Sequence, residues 1–361
     1  MLTIKALSVV CTSTLLLVLG VNEIASASSF NSTPVFNNVA NYTTTISGDN
    51  NLADIYYPNP TDLKKSNYSF PVALLLQGGL VDKSNYSNYA RQVARYGFVV
   101  VVPNSKRPDP TYGDEALLPQ TTQIDTALQQ IIVENENASS PIVGKLDTEK
   151  VGLLGHSLGS IVGLSAIGNL CLVTQTPTCP GSFSRPKQIV AGAFFGGNLR
   201  DKNDVYPPIN NDGIPVALLQ GDRDGRALPF RASLTYDKIK NPPAALINIK
   251  GANHFSIINT NNPAGAIPDP INATLNQDVA IETIARWSGL FLRASILNDK
   301  NAFNYVYFTG DATDPNVTVE SKRVSESAST VAPLGILFAY FTITQLRKRI
   351  NESKRHFKSN A

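Results

Sequence analysis

The chain alternates short, almost wholly apolar runs with longer stretches whose apolar residues recur every three or four positions. Residues 71–76 (Pro-Val-Ala-Leu-Leu-Leu) run into Gln77-Gly78-Gly79, the pattern of a buried parallel strand closed by a tight turn. Similar runs at 53–57, 97–103, 151–154, 188–195, 214–219 and 245–249 predict further strands. Between them, Tyr86, Tyr89, Val93 and Tyr96 share one helical face. So do Leu117, Ile124, Leu128, Ile131 and Ile132 in a helix expected over 116–134. A small-residue helix is expected from 158 to 170. A long one is expected over 275–294, with Ile281, Ile284, Ala285, Trp287 and Leu290 to pack. Strands alternating with helices predict an α/β fold, a mostly parallel sheet with helices on both faces. The sequence has no internal repeat, phosphate-binding loop, dinucleotide turn or zinc-ligand spacing.

Composition narrows the class. Of 361 residues, 42% are apolar, enough for a large core and incompatible with a disordered or multi-span membrane chain. The net charge of +3 is misleading. Residues 345–361 hold Arg347, Lys348, Arg349, Lys354, Arg355 and Lys358 against Glu352 alone, so the body is slightly acidic. It therefore offers no basic face to nucleic acid.

Both ends are unusual. Lys5, the apolar block 6–21 and Ala25-Ser26-Ala27 read as an export signal over 1–27. Residues 331–346 are expected to form an apolar helix, short for a span, followed by the basic tail 347–361, as at a cytoplasmic membrane boundary. With Val324-Ser325-Glu326-Ser327 upstream, this end resembles exosortase-type (PEP-CTERM-like) sorting tails, with serines where prolines usually flank the glutamate. The expected organisation is signal (1–27), catalytic domain (28–300), linker or stalk (301–330), membrane or sorting helix (331–346) and basic tail. The protein is expected to be exported, to the bacterial cell surface, periplasm or extracellular space, and tethered to a membrane at its C-terminus. Cys171 and Cys179 remain after signal removal; in an oxidising compartment they can close a short loop as a disulfide.

The chemistry-bearing pattern is Gly155-His156-Ser157-Leu158-Gly159, between an expected strand and an expected helix. A nucleophile on such a sharp turn needs small residues two before and two after it, so that strand and helix can approach. The turn also places Ser157 at a helix N-terminus, which favours a developing anion. Serine needs a base, and the base an orienting acid, in the chain order Ser, acid, His. There are three histidines. His156 adjoins the serine and must point away; His356 lies in the basic tail; His254 follows the last expected strand. For the acid, Asp222 and Asp224 both follow the strand at 214–219. An oxyanion hole needs the Leu158 N–H and a second donor from the loop after Leu76, Gly79 or Leu80.

These segments, spanning about residues 50–295, resemble the α/β-hydrolase superfamily. Leu74-Leu75-Leu76-Gln77-Gly78-Gly79, Tyr96-Gly97-Phe98 through Pro103, Gly155 to Gly159, and Gly251-Ala252-Asn253-His254-Phe255 follow the order of one branch. It holds chlorophyllases, dienelactone-hydrolase-like enzymes and cutinase-like polyesterases. The resemblance implies Ser157 as nucleophile, Asp224 as acid, His254 as base, and Gly79 with Leu158 as oxyanion donors. Leu80, Phe195 and Phe255 are the expected apolar walls for substrate. The implied activity is hydrolysis of a small or lipid-like carboxylic ester, without metal or organic cofactor. A binding protein that keeps the fold without catalysis, and an amidase or phospholipase using the same chemistry, are the alternatives.

Overall fold

The computed structural model describes residues 30, 32–59, 69–172, 174 and 176–323. The expected export signal, the last part of the expected linker (324–330), the apolar helix expected at 331–346 and the basic tail lie outside them. Among the described residues, no helix is long and apolar enough to cross a membrane.

From Ser32 onward the chain builds one nine-stranded sheet. Its strands are β1 (Val39–Thr45), β2 (Leu52–Pro58), β3 (Phe70–Leu76), β4 (Val99–Pro103), β7 (Leu146–His156), β8 (Ile189–Phe195), β9 (Val216–Gly221), β10 (Ala244–Ile249) and β11 (Val317–Lys322). They lie in the order β1-β2-β4-β3-β7-β8-β9-β10-β11. From β4 to β10 all pairings are parallel; β1, β2 and β11 pair antiparallel at the edges. β3, β4 and β9 are buried from end to end, which is why they read as continuous apolar runs rather than alternating ones.

Helices α2 (Thr122–Glu136), α3 (Leu158–Ile167) and α4 (Pro229–Lys238) cover one face of the sheet, joining a core with Leu74, Val101, Leu153 and Leu218. On the other face α1 (Ser87–Ala94) packs on α5 (Gln277–Ile296), which also contacts β7 and β8. A side chain on Gly152 of β7 would meet Leu292 at 2.7 Å, a measure of how closely α5 lies on the sheet. This is the α/β architecture read from the sequence.

Two expectations need correction. The helix expected from 116 begins only at Thr122. Before it, β5 (Lys106–Asp109) and β6 (Gly113–Leu117) form a separate hairpin. Pro119 explains the difference, because a proline disfavours helical backbone in the residue before it. The alternation that buries Ala116 and Leu118 is that of a strand. The second correction concerns the linker or stalk expected from 301. Short helical turns over 300–313 lead directly into β11, which pairs with β10 from Ala244↔Lys322 to Ile249↔Val317. Asp314, 4% exposed, accepts from Trp287 Nε1 (2.8 Å) and Arg286 (2.8 Å) of α5, so this segment belongs to the domain.

Candidate active site

The parallel strands all end at one edge of the sheet, and the loops after four of them converge there. β7 delivers Ser157, β9 Asp224, β10 His254, and β3 the loop Gln77–Gly78–Gly79–Leu80. This is the crevice beyond the carboxyl ends of the strands where open α/β sheets bind ligands.

Ser157 has φ 53° and ψ −117°, a conformation that non-glycine residues rarely adopt. The strain is held by tight packing around the turn. A Cβ on Gly159 would lie 2.1 Å from the Leu76 carbonyl oxygen, and one on Gly155 2.9 Å from the Gly159 backbone. That is the physical basis of the two glycines in the motif. The Phe195 carbonyl fixes the turn from outside, accepting from the Ser157 N–H (3.0 Å) and the Ser160 hydroxyl (2.9 Å).

The His254 ring lies between serine and acid. Its Nδ1 is 2.9 Å from Asp224 Oδ2, and its Nε2 is 2.8 Å from Ser157 Oγ. An ionised carboxylate only accepts, so Nδ1 carries the proton and Nε2 is left to accept from the serine hydroxyl. Asp224 is 1% exposed, and its other oxygen accepts the N–H groups of Arg226 (2.9 Å) and Ala227 (2.6 Å). The structure thus separates the two acids left open by the sequence. Asp222 is exposed and accepts instead from the Gly251 N–H (2.7 Å).

The loop after β3 is equally resolved. The Gly78 N–H donates to the Tyr86 hydroxyl (2.7 Å), and the Leu80 N–H to the Leu117 carbonyl (2.7 Å). Among the described residues no partner engages the N–H of Gly79, or that of Leu158 in the first turn of α3. Gly79 and Leu158 line the same cavity, and a Cβ on Gly79 would contact the Leu158 side chain at 3.4 Å.

A matching sequence model adds to this geometry: the family described as PETase, PET hydrolase-like, fits residues 27–216. The chain belongs to the PET hydrolase-like family. That family lies within the α/β-hydrolase superfamily and places the chain among hydrolases of ester bonds. No curated protein matches the chain. The family match covers Gly79, Ser157 and Leu158 and ends before Asp224 and His254, which the fold brings to them.

Around these groups the PET hydrolase-like chain has two supports that the sequence reading did not find. The first is a buried relay. Tyr86 donates its hydroxyl to His156 Nδ1 (2.9 Å), and His156 Nε2 donates to the His254 carbonyl (2.9 Å). Burial, with the neighbouring His254 as a smaller cause, holds His156 well below the usual histidine pKa, so it stays neutral and keeps one donor and one acceptor. His156 therefore points away from the serine and ties the loop carrying Gly78 to the loop carrying His254. The second support is Asp269, 4% exposed. Its carboxylate accepts the N–H groups of His254 (2.8 Å), Gly225 (3.1 Å) and Ile271 (2.9 Å), joining the acid loop to the histidine loop. The one sequence signal was an acid followed by proline in the Asn- and Pro-rich stretch after His254.

Two cavities, of about 170 and 190 Å³, flank Ser157 and His254. Leu80 and Phe255 line the second of them. Leu80 holds φ 63°, a strained backbone at the rim of the cleft. Phe195, expected as a third wall, lines neither cavity. It is 1% exposed with its ring packed 6.1 Å from that of His156, because at the end of β8 the strand's alternation turns its side chain under the site. Cys171 and Cys179 form a disulfide. The loop they close supplies Thr174 and Thr176 to the cleft. Arg107 holds it to the β5–β6 hairpin, donating to the carbonyls of Pro177 (2.7 Å) and Leu118 (3.1 Å).

Proposed function

We propose that the protein is a serine carboxylic-ester hydrolase working through an acyl-enzyme. One observation carries the reading: the continuous hydrogen-bonded chain from Ser157 Oγ through His254 to Asp224 Oδ2, at 2.8 and 2.9 Å. Ser157 Oγ attacks the ester carbonyl carbon while its proton passes to His254 Nε2. The carbonyl oxygen, now negative, takes the free N–H groups of Gly79 and Leu158. One such donor is worth about 3 kcal/mol in the transition state. The intermediate collapses by breaking the bond to the alcohol oxygen, which leaves with the proton held by His254. Water then repeats the sequence, giving up its proton to His254 as it attacks the acyl carbon, and the acid leaves with Ser157 restored. Asp224 keeps the imidazole in the reactive tautomer and stabilises its charged form.

The family's name supplies poly(ethylene terephthalate) as a candidate substrate. Export and C-terminal tethering belong to the same proposal. They rest on the sequences at 1–27 and 331–349, and the Cys171–Cys179 disulfide suits an oxidising compartment. The test is turnover by purified protein of neutral p-nitrophenyl esters of rising chain length, together with a polyester film. Release of p-nitrophenol that saturates with ester is the expected result. Failure to turn over any of these esters above the buffer rate would remove the enzyme reading.

A further inference from the structure

The two cavities beside Ser157 both have mixed walls, with Leu158, Ile161 and Thr176 shared between them. One adds the apolar side chains of Leu80, Leu118, Phe255 and Ile267. The other adds Thr174, Asn198, Arg200 and Asp201. Arg226 borders both, as do Ser157 and His254.

The charges at this cleft can be assigned one by one. Arg200 donates to Asn198 Oδ1 (3.1 Å) and pairs with Asp204. Asp201 turns its carboxylate onto its own loop, accepting from the N–H groups of Asn203 (2.8 Å) and Val205 (2.9 Å). Asp224 is covered and engaged with His254. That leaves Arg226. Its N–H is fixed by Asp224 Oδ1, so its place relative to the histidine is set by the acid itself. It lines both cavities, and among the described residues no carboxylate or carbonyl engages its guanidinium.

We propose that Arg226 is a specificity residue that selects esters carrying a carboxylate, so that the preferred substrate is an anionic ester with an apolar portion. This deepens the serine-hydrolase reading and rests on it. A guanidinium offers paired donors that match a carboxylate, and a carboxylate of the substrate would supply the partner this one lacks. Arg226 is exposed at the rim, so its effect is screened by salt.

The test compares mono-p-nitrophenyl adipate with p-nitrophenyl hexanoate. They share leaving group and acyl length and differ in a terminal carboxylate against a methyl. The readout is the ratio of kcat/KM for the anionic ester to that for the neutral one. Arg226→Gln is expected to lower this ratio about tenfold, the scale of one charge-assisted hydrogen bond in a half-wet site. Arg226→Glu lowers it further, and Arg226→Lys keeps most of it. In the unaltered protein the ratio falls as ionic strength rises. A ratio equal within twofold in the unaltered protein and Arg226→Gln overturns the proposal, while the hydrolase reading survives. Absence of turnover on both esters by the unaltered protein would instead overturn the hydrolase reading.

Discussion

Ser157→Ala is expected to lower kcat/KM for p-nitrophenyl esters by about 10⁵–10⁶-fold while leaving the fold intact. The scale follows from nucleophiles that act as one unit with their base, where loss of the serine alone costs nearly as much as loss of the whole set. The residue that remains would still present the Gly79 and Leu158 donors to a carbonyl, but nothing to attack it. Stability should change little for a local reason. The Ser157 side chain is only partly buried, and among the described residues its hydroxyl bonds to His254. The strained backbone at φ 53° is set by the packing of Gly155 and Gly159, which the substitution leaves in place. The checks are p-nitrophenol release and a thermal melt. A variant within tenfold of the unaltered rate would mean that another group attacks the ester.

Asp224→Asn should lower kcat by about 10⁴-fold, and Asp222→Asn by no more than a few-fold. Asp224 Oδ2 accepts from His254 Nδ1, while Oδ1 accepts from two backbone N–H groups. An amide whose oxygen stays on those backbone donors turns its NH₂ toward the ring. That favours the proton on Nε2, the nitrogen that must be empty to take the serine proton; such a tautomer reversal costs about 10⁴ in comparable triads. Among the described residues the carboxylate of Asp222, two residues earlier and exposed, accepts only from the Gly251 N–H. Measuring kcat for both variants separates them. Equal losses, or a larger loss at Asp222, would show that the acid has been misassigned.

The parts legible in the sequence were those with strong local causes. Fully buried parallel strands leave apolar runs, and β3, β4, β8, β9 and β10 were read within two residues of their observed bounds, whereas only 151–154 of β7 was read because its first half is polar and partly exposed. The serine turn was legible because its backbone cannot close with side chains at 155 and 159. His254 was legible because so few histidines compete with it.

What escaped depends on contacts between residues far apart in the chain. Nothing near Asp269 shows that its carboxylate caps the N–H of His254 fifteen residues away. The link from Tyr86 to His156 spans seventy positions. The β5–β6 hairpin was hidden because its alternation merges with the helical spacing of α2, and β11 because an edge strand paired on one side keeps polar residues such as Thr318 and Glu320. Phe195 was misplaced for a related reason: its position at a strand end was readable, but the face its ring occupies depends on the twist and register of the whole sheet.

The most direct measurement is the site of covalent capture by a fluorophosphonate, read by peptide mass after proteolysis. The account predicts one adduct per chain, on Ser157, formed by the folded protein and lost when the protein is denatured before exposure. An adduct on a different residue, or none on protein that otherwise releases p-nitrophenol, would contradict it.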